Sequence, residues 1–327
     1  MIKIVKKYKI AFIYEKYNVY LSGKHYDNVY YHFFMNALKR NSALDVSYFP
    51  TGKTFDANQL KDKFDIILLW ENNSYGMPEE IQNIEDLDIP VIAKAADAAQ
   101  AKKSIPFHKK WNIDYYFHFN PSEYFHELYP NNFKYKTIFI GIEPSLYQNL
   151  TPFKKRIKNR ILNSGNIGNK KFLSRMINKI KNPKWNALEQ YYLRTLCSDL
   201  PYVDYTSTLQ HEYVNDKYPL LLQKYTAAIA ACTYQPVIKF WEIPAAGCLT
   251  FMEITQKNKG NNLGFVDNET AIFINEKNYQ EKFEDYLSDI ENPKWERIAN
   301  NGRKFALENF NNDKAVDSLV SLIKNLV

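Results

Sequence analysis

Short apolar runs alternate with amphipathic segments along the first half of the chain. The runs are rich in β-branched and aromatic residues and predict buried strands, whereas the segments between them have apolar residues at helical spacing. The runs are YKIAFIY, LDVSYF, FDIILLW, IPVIAKA and KTIFIGI, and two of the segments are YDNVYYHFFMNALKR and SEYFHELY. This alternation predicts a mainly parallel sheet that is covered by helices.

A second alternation follows the stretch EPSLYQNLTPF, whose two prolines and polar residues are typical of a linker. It contains the strand-like runs RILNSG, TAAIAAC and AIFINE and ends in three helical segments. We therefore predict an α/β chain with two Rossmann-like domains, residues 1–145 and 146–310, that face each other across a cleft. Since ligands of such sheets bind at the carboxyl ends of the strands, the cleft is the expected site.

Composition narrows the class of protein. With 45% hydrophobic and 16% aromatic residues, the 327-residue chain can bury a large core, which excludes global disorder. An apolar run of membrane-spanning length is missing, and lysines interrupt the N-terminal segment too often for a signal peptide. We expect a cytoplasmic protein. The three cysteines are odd in number and lie in apolar surroundings, which predicts buried thiols rather than disulfides.

The formal charge of +7 favours anionic partners such as phosphates, nucleic acid or an acidic membrane surface. Nucleic acid is disfavoured because the lysines do not cluster with aromatic residues in any recognisable binding module. The segment KKFLSRMINKIK predicts a basic amphipathic helix. We interpret its polar side as a solvated face, and peripheral contact with anionic lipid at the inner face of the membrane is the alternative.

The segment KFWEIPAAGCLTFMEI predicts a helical turn followed by a strand, with Glu242 near the helix start. Amide dipoles there favour an ionised carboxylate, which could accept hydrogen bonds from two hydroxyl groups, such as those of a ribose. A glutamate that only caps the helix is the alternative.

The segment ILNSGNIGNKKFLSR predicts a strand, a turn with Gly165 and Gly168, and a helix. Backbone amides at such a helix start can hold a phosphate, and Arg175 could add a bidentate contact to its oxygens. Plain turn glycines are the alternative. The segment is not a Walker loop, because it lacks the GK[ST] ending.

Both segments resemble the C-terminal domain of GT-B glycosyltransferases. PVIKFWEIPAAGCLTFME resembles the donor-binding "KxFExxAxG" motif of glycosyl transferases group 1, including the CgeB-like proteins. NSGNIGNKKFLSR resembles the "SGxxxxxYPLR" element and matches it at Gly165 and Arg175, although Phe172 and Leu173 stand in place of Tyr-Pro. The resemblance runs from about Arg160 to the C-terminus, and IFIGIEPSLY resembles the linker entry of the family.

The resemblance implies the GT-B fold and a final helix, residues 311–327, that packs back on the N-terminal domain. It implies that Glu242 binds the donor ribose and that the helix ending at Gly247 lies against the diphosphate. Retaining members often have a second glutamate where this chain has Tyr234, so the stereochemistry stays open. The implied donor site comprises Lys239, Glu242, Pro244, Ala245, Gly247, Gly165, Gly168, Arg175 and Tyr234.

The acceptor side is expected after the strands of the first domain. His25 in SGKHYDN and Asp97 in AKAADAA could each take a proton from an acceptor hydroxyl. His25 as a surface loop residue and Asp97 as a helix N-cap are the alternatives. Glu15, His118 and His126 are weaker candidates.

The expected activity is transfer of a sugar from a nucleotide-diphosphate sugar, UDP- or GDP-linked, to a hydroxyl of a glycan, polysaccharide or glycolipid. No Asp-x-Asp element stands at a predicted strand end, so we expect neither a metal nor another cofactor, with protein charges and helix dipoles stabilising the leaving diphosphate. The alternative is a degenerate protein that binds a nucleotide or sugar without turnover.

Overall fold

The computed structural model describes residues 7–16, 30–73, 76–97, 100–168, 171–181, 187–206 and 215–327. The chain divides into two compact units. The first comprises Met1–Ile140 and Asn312–Val327, and the second comprises Gly141–Asn311.

The first unit is built on a six-stranded sheet with the strand order β2-β1-β4-β6-β7-β8, and all of its pairings are parallel. These strands are β1 (Tyr8–Glu15), β2 (Leu44–Thr51), β4 (Ile66–Leu69), β6 (Val91–Lys94), β7 (Tyr115–His118) and β8 (Tyr135–Thr137). A separate parallel pair joins β3 (Thr54–Asp56) and β5 (Glu80–Gln82). The helices are α1 (Tyr30–Arg40), α2 (Ala101–Ser104), α3 (Phe107–Lys110), α4 (Ser122–Leu128) and α12 (Asn312–Ile323).

The central strands of this sheet are mostly apolar because both of their faces are covered, and the exception is Lys94 at the end of β6. Every residue of β4 and β6 is buried, as parallel strands between helices require. Helix α12 packs in this unit against α1, where Asn41 Nδ2 donates a hydrogen bond of 3.0 Å to Asp317 Oδ1. The Lys136 ammonium donates another, 3.0 Å long, to the Ser318 carbonyl.

The second unit has a five-stranded parallel sheet in the order β10-β9-β11-β12-β13. Its strands are β9 (Ile157–Ser164), β10 (Val203–Thr206), β11 (Tyr225–Ala230), β12 (Leu249–Glu253) and β13 (Ile272–Ile274). Its helices are α5 (Phe172–Lys181), α6 (Ala187–Gln190), α7 (Tyr192–Cys197), α8 (Tyr218–Leu222), α9 (Lys239–Ala245), α10 (Tyr279–Ser288) and α11 (Pro293–Asn309). Because β9, β11 and β12 are neighbours, their carboxyl ends lie together at one edge.

The predicted parallel α/β fold is confirmed, and so is the prediction of buried free thiols for all three cysteines. One predicted strand differs. KTIFIGI provides only the last residues of β8, because Ile138 and Ile140 are buried beyond its end without continuing the ladder. Among the described residues, no helix is long and apolar enough to cross a membrane.

Candidate functional site

Helix α9 begins near the carboxyl edge of the second sheet and presents Lys239 there. The Lys239 ammonium donates hydrogen bonds to Ser164 Oγ at 3.2 Å and to the Tyr218 hydroxyl at 3.1 Å. Ser164 Oγ and the Tyr218 hydroxyl are themselves 2.6 Å apart, and the ammonium lies 4.6 Å from the centroid of the Tyr218 ring. The lysine therefore joins the end of β9 to α8 and α9.

Glu242 follows Lys239 by about one helical turn and is half-buried. No described residue donates a hydrogen bond to its carboxylate. Burial raises the pKa of Glu242, although the positive charge of Lys239 opposes the rise. Burial and the nearby charge of Arg194 lower the pKa of Lys239. Burial therefore disfavours the charged form of each side chain. A ligand group that interacts with that charged form would stabilise it.

Burial works against the expectation that Glu242 stays ionised, because desolvation raises its pKa. Three amides of α9 are engaged at the start of the helix, since Phe240 N donates to the Val237 carbonyl and both Trp241 N and Glu242 N donate to the Ile238 carbonyl. The part that helix amides play in ionising Glu242 stays a prediction.

Arg194 on α7 lies behind this site and was not predicted from the sequence. It is 2% exposed and donates hydrogen bonds to the Asn166 carbonyl at 3.0 Å and to the Ala231 carbonyl at 2.5 Å. Its guanidinium thus fixes the loops that follow β9 and β11. Within the described part of the chain, the Arg194 Nε atom is buried and has no hydrogen-bond partner. The sequence signal for it is an arginine inside the otherwise uncharged run YLRTLC.

A second carboxylate, that of the fully buried Glu253, ends strand β12 at the same edge. It is 1% exposed, and burial raises its pKa to about 7. Thr233 Oγ1 donates to Glu253 Oε1 at 3.3 Å, while no described residue pairs with Glu253 Oε2. A glutamate at the end of the apolar run LTFME is the signal that could have indicated it.

Two backbone amides of the predicted phosphate-binding turn already donate hydrogen bonds within the unit. Gly165 has a φ of +110°, which favours glycine, and its amide donates to the Thr206 carbonyl at 2.9 Å. The Gly168 amide donates to Thr195 Oγ1 at 2.8 Å, so this amide is engaged within the unit, and phosphate binding by the helix start stays a prediction. Arg175 belongs to α5, but its side chain lies outside the described residues.

Three other predicted donor-site residues lie at the far end of α9, where strand β12 is about to begin. Pro244 and Ala245 are buried. Gly247 has a φ of +71°, and a Cβ on it would lie 3.3 Å from Arg156 Nη2. Arg156 Nη1 donates to the carbonyls of Ala246 and Gly247 at 2.9 and 3.0 Å. Gly247 therefore lies just before β12, at the amino edge of the sheet, and the predicted contact of these three residues with a diphosphate stays a prediction.

Tyr234 lies in the loop that follows β11 and has partners within the unit. Its hydroxyl donates to the Glu189 carboxylate, and the Lys257 ammonium lies 4.2 Å from the centroid of its ring. Burial and the Glu189 carboxylate raise the pKa of Tyr234, so the hydroxyl stays protonated at neutral pH.

In the first unit, Asp97 is exposed beyond the end of β6, and its carbonyl accepts a hydrogen bond from Gln100 N at 2.7 Å. The N-cap of α2 is Gln100, so the interpretation of Asp97 as that cap is wrong. His25 lies outside the described residues. His118 is 1% exposed, and burial lowers its pKa well below the usual value.

A buried ion pair at the carboxyl edge of the first sheet was also missed. Lys94 Nζ and Glu71 Oε1 are 2.5 Å apart, with side-chain exposures of 3% and 11%. Burial raises the pKa of Glu71 to about 7 in spite of this partner.

Comparison with solved structures identifies the fold as that of the GT-B glycosyltransferases. Sucrose-phosphate synthase from Thermosynechococcus elongatus is similar with a TM-score of 0.62 and 12% identity, covering 98% of this chain and 99% of that one. Anabaena HepE in complex with UDP and glucose has a TM-score of 0.56 and 11% identity over 97% and 100% of the chains. An α-glucosyltransferase in complex with UDP-glucose and DNA containing an abasic site has a TM-score of 0.57 and 9% identity over the same shares. No protein-family model and no curated protein matches the sequence.

Proposed function

We propose that this protein is a glycosyltransferase that moves a sugar from a nucleotide-diphosphate sugar to a hydroxyl group of an acceptor. One observation carries the proposal: the half-buried Glu242 carboxylate has no described hydrogen-bond donor and lies on the helix that presents Lys239 near the carboxyl edge of a parallel sheet. Ligands of such sheets bind at this edge. UDP in the structures of HepE and UDP-glucose in that of the α-glucosyltransferase support a uridine nucleotide as the first ligand to test.

The Glu242 carboxylate suits the ribose of the donor. An ionised carboxylate accepts hydrogen bonds only, and the two neighbouring hydroxyls of a ribose can each donate one. Binding would lower the raised pKa of Glu242, because hydrogen bonds to the charged form favour it. Each such bond is worth about 1.5–3 kcal/mol.

Positive charge from Lys239 and Arg194 supports a diphosphate at the same edge. The Lys239 ammonium is held by two hydroxyls, and an anion would offset the burial that now lowers its pKa. Such fixed charges would also stabilise the diphosphate as it leaves. We propose transfer without a metal, which rests on these protein charges and on the lack of an Asp-x-Asp element at a predicted strand end, since Asp86 and Asp88 lie in the connection between β5 and β6.

The acceptor side of the proposal depends on the first unit. Asp97 is exposed at the carboxyl end of β6 and is the described candidate for the base, with His25 as the second candidate from the sequence. A glycan, polysaccharide or glycolipid hydroxyl is the proposed acceptor, and membership of the CgeB-like group stays a prediction.

A protein that binds the nucleotide without turnover is the second candidate. Tyr234 favours it, because its hydroxyl is engaged with Glu189 at the position where retaining members of the resembled group often have a glutamate.

A two-stage experiment tests the proposal. Thermal shifts with uridine, guanosine, cytidine and thymidine diphosphates come first, since a ligand at 100 times its Kd adds about 2.7 kcal/mol of stability. The matching sugar nucleotides are then incubated with mixed glycan acceptors in EDTA, and the released diphosphate is measured. Nucleotide binding together with release of the diphosphate supports the enzyme. Nucleotide binding without diphosphate release, whichever acceptor is added, supports the second candidate. No shift with any diphosphate contradicts both.

A further inference from the structure

Helix α5 of the second unit carries an apolar face that is turned to solvent. All of its described side chains are exposed except Ser174, which is half-buried. The exposed apolar residues are Phe172 at 70%, Leu173 at 74%, Met176 at 47%, Ile177 at 49% and Ile180 at 77%. In a surface helix of a globular domain the apolar residues normally face the core, so α5 is oriented the opposite way.

These five residues form a continuous stripe. At 3.6 residues per turn they fall within an arc of about 140° around the helix axis. Lys179 and Lys181, both exposed, lie just outside the two opposite borders of this arc, and Ser174 lies outside it as well. We call the five apolar residues with the two bordering lysines the α5 face.

The charges of the α5 face are of one sign. The helix sequence FLSRMINKIK contains no acidic residue, and the whole chain has a formal charge of +7. A second copy of the same face, related by a twofold axis, would bring the bordering lysines of the two copies close to each other, and like charges disfavour this contact. An apolar stripe bordered by lysines instead matches a bilayer, where apolar side chains enter the acyl boundary and lysines reach anionic headgroups.

We propose that the α5 face docks the protein on a membrane surface rich in anionic phospholipid. The helix would lie in the plane of the interface, with Leu173 and Ile180, its two most exposed residues, inserted deepest. This proposal does not depend on sugar transfer, because the contact is made by residues outside the candidate donor site.

Vesicle co-sedimentation tests the proposal with the full chain. The probes are vesicles of phosphatidylcholine alone and of phosphatidylcholine mixed with phosphatidylglycerol. Binding is expected to the anionic vesicles and to fall as salt is raised toward ~1 M, which screens the lysines. The double variant Leu173→Ser, Ile180→Ser should lower the partition coefficient by at least about tenfold. The double variant Lys179→Ala, Lys181→Ala should lower it about fivefold for each lysine.

Two matched controls distinguish the α5 face from surface apolarity and charge in general. Val266→Ser removes an apolar side chain that is 48% exposed elsewhere in the second unit, and Lys102→Ala with Lys103→Ala removes two exposed lysines of α2. Both control proteins should bind vesicles like wild type. Unchanged melting temperatures verify that each variant is folded.

Three results would overturn the proposal. They are failure of the wild type to bind anionic vesicles, binding of the Leu173→Ser, Ile180→Ser variant as tight as wild type, and equal binding to neutral and anionic vesicles. A concentration-dependent dimer in gel filtration that this variant abolishes, without vesicle binding by the wild type, would instead assign the face to a second copy of the chain.

Discussion

A lysine and a glutamate lie at the carboxyl edge of each sheet, but only those of the first unit form an ion pair among the described residues. In the first unit Lys94 and Glu71 lie 2.5 Å apart, and each neutralises the other. In the second unit Lys239 is bonded to two hydroxyls, and no described residue donates to Glu242. A lysine and a glutamate that form an ion pair thus have a structural role. A carboxylate to which no described residue donates a hydrogen bond indicates a ligand site instead.

The largest expected effect comes from breaking the ion pair between Lys94 and Glu71. Lys94→Met leaves the Glu71 carboxylate buried without its ion-pair partner, which should cost about 3–5 kcal/mol of stability. Urea denaturation followed by a probe in the first unit measures it. Nucleotide binding by the folded protein should change little. A loss below about 1 kcal/mol would show that the two edges do not differ in this way.

Removing the lysine of the second edge should affect ligand binding rather than folding. Lys239→Met removes a charge that we propose contacts the diphosphate, so affinity for a nucleoside diphosphate should fall by about 1.5–3 kcal/mol. Affinity for the bare nucleoside should stay nearly constant. Titration calorimetry with both ligands measures the difference. Equal losses for nucleoside and nucleoside diphosphate would remove the phosphate contact from the proposal.

The pH dependence of stability gives a smaller effect. Burial raises the pKa of Glu253 from 4.5 to about 7, so the folded protein binds a proton more tightly than the unfolded chain. The contribution of Glu253 to stability should therefore be fully present below about pH 4.5 and should be lost as the pH rises to about 7 and above.

The expected loss from Glu253 is on the order of 1–3 kcal/mol. Glu253→Gln removes this titration, and its unfolding free energy should vary less with pH than that of wild type. Parallel urea titrations at several pH values measure the difference. Identical pH profiles for the two proteins would contradict the raised pKa.

The sequence was sufficient for most of the fold because both sheets are parallel. Strands that are buried on both faces appear in the sequence as continuous apolar runs, such as IILL of β4 and YTAAIA of β11. Such runs can be recognised without tertiary information. The pair of β3 and β5 was not predicted, because three-residue strands carry too little pattern. KTIFIGI was misread for a related reason: its isoleucines are buried without being part of a strand.

The candidate site was less accessible to sequence reasoning. Lys239 and Glu242 stand out because a charged pair opens a short helix between two apolar runs, and their role as a donor site stays a prediction. Gly247 lies before β12 because α9 carries the chain away from the carboxyl edge of the sheet, and its contact with a diphosphate stays a prediction. Arg194 and Glu253 were missed because their importance arises from burial next to loops distant in sequence, which no local pattern encodes.

The most direct test of the proposed donor site is the nucleotide affinity of Glu242→Gln measured by titration calorimetry. The matched control is Glu281→Gln, which changes an exposed glutamate in the first turn of α10. Glu242→Gln should weaken the preferred nucleoside diphosphate by about 1.5–3 kcal/mol and leave the melting temperature nearly unchanged, while Glu281→Gln should bind like wild type. The alternative of a helix-capping Glu242 is not supported by the structure, because the N-cap of α9 is Ile238 and no side-chain cap bond is made there. Wild-type nucleotide affinity in Glu242→Gln would therefore contradict the donor site directly.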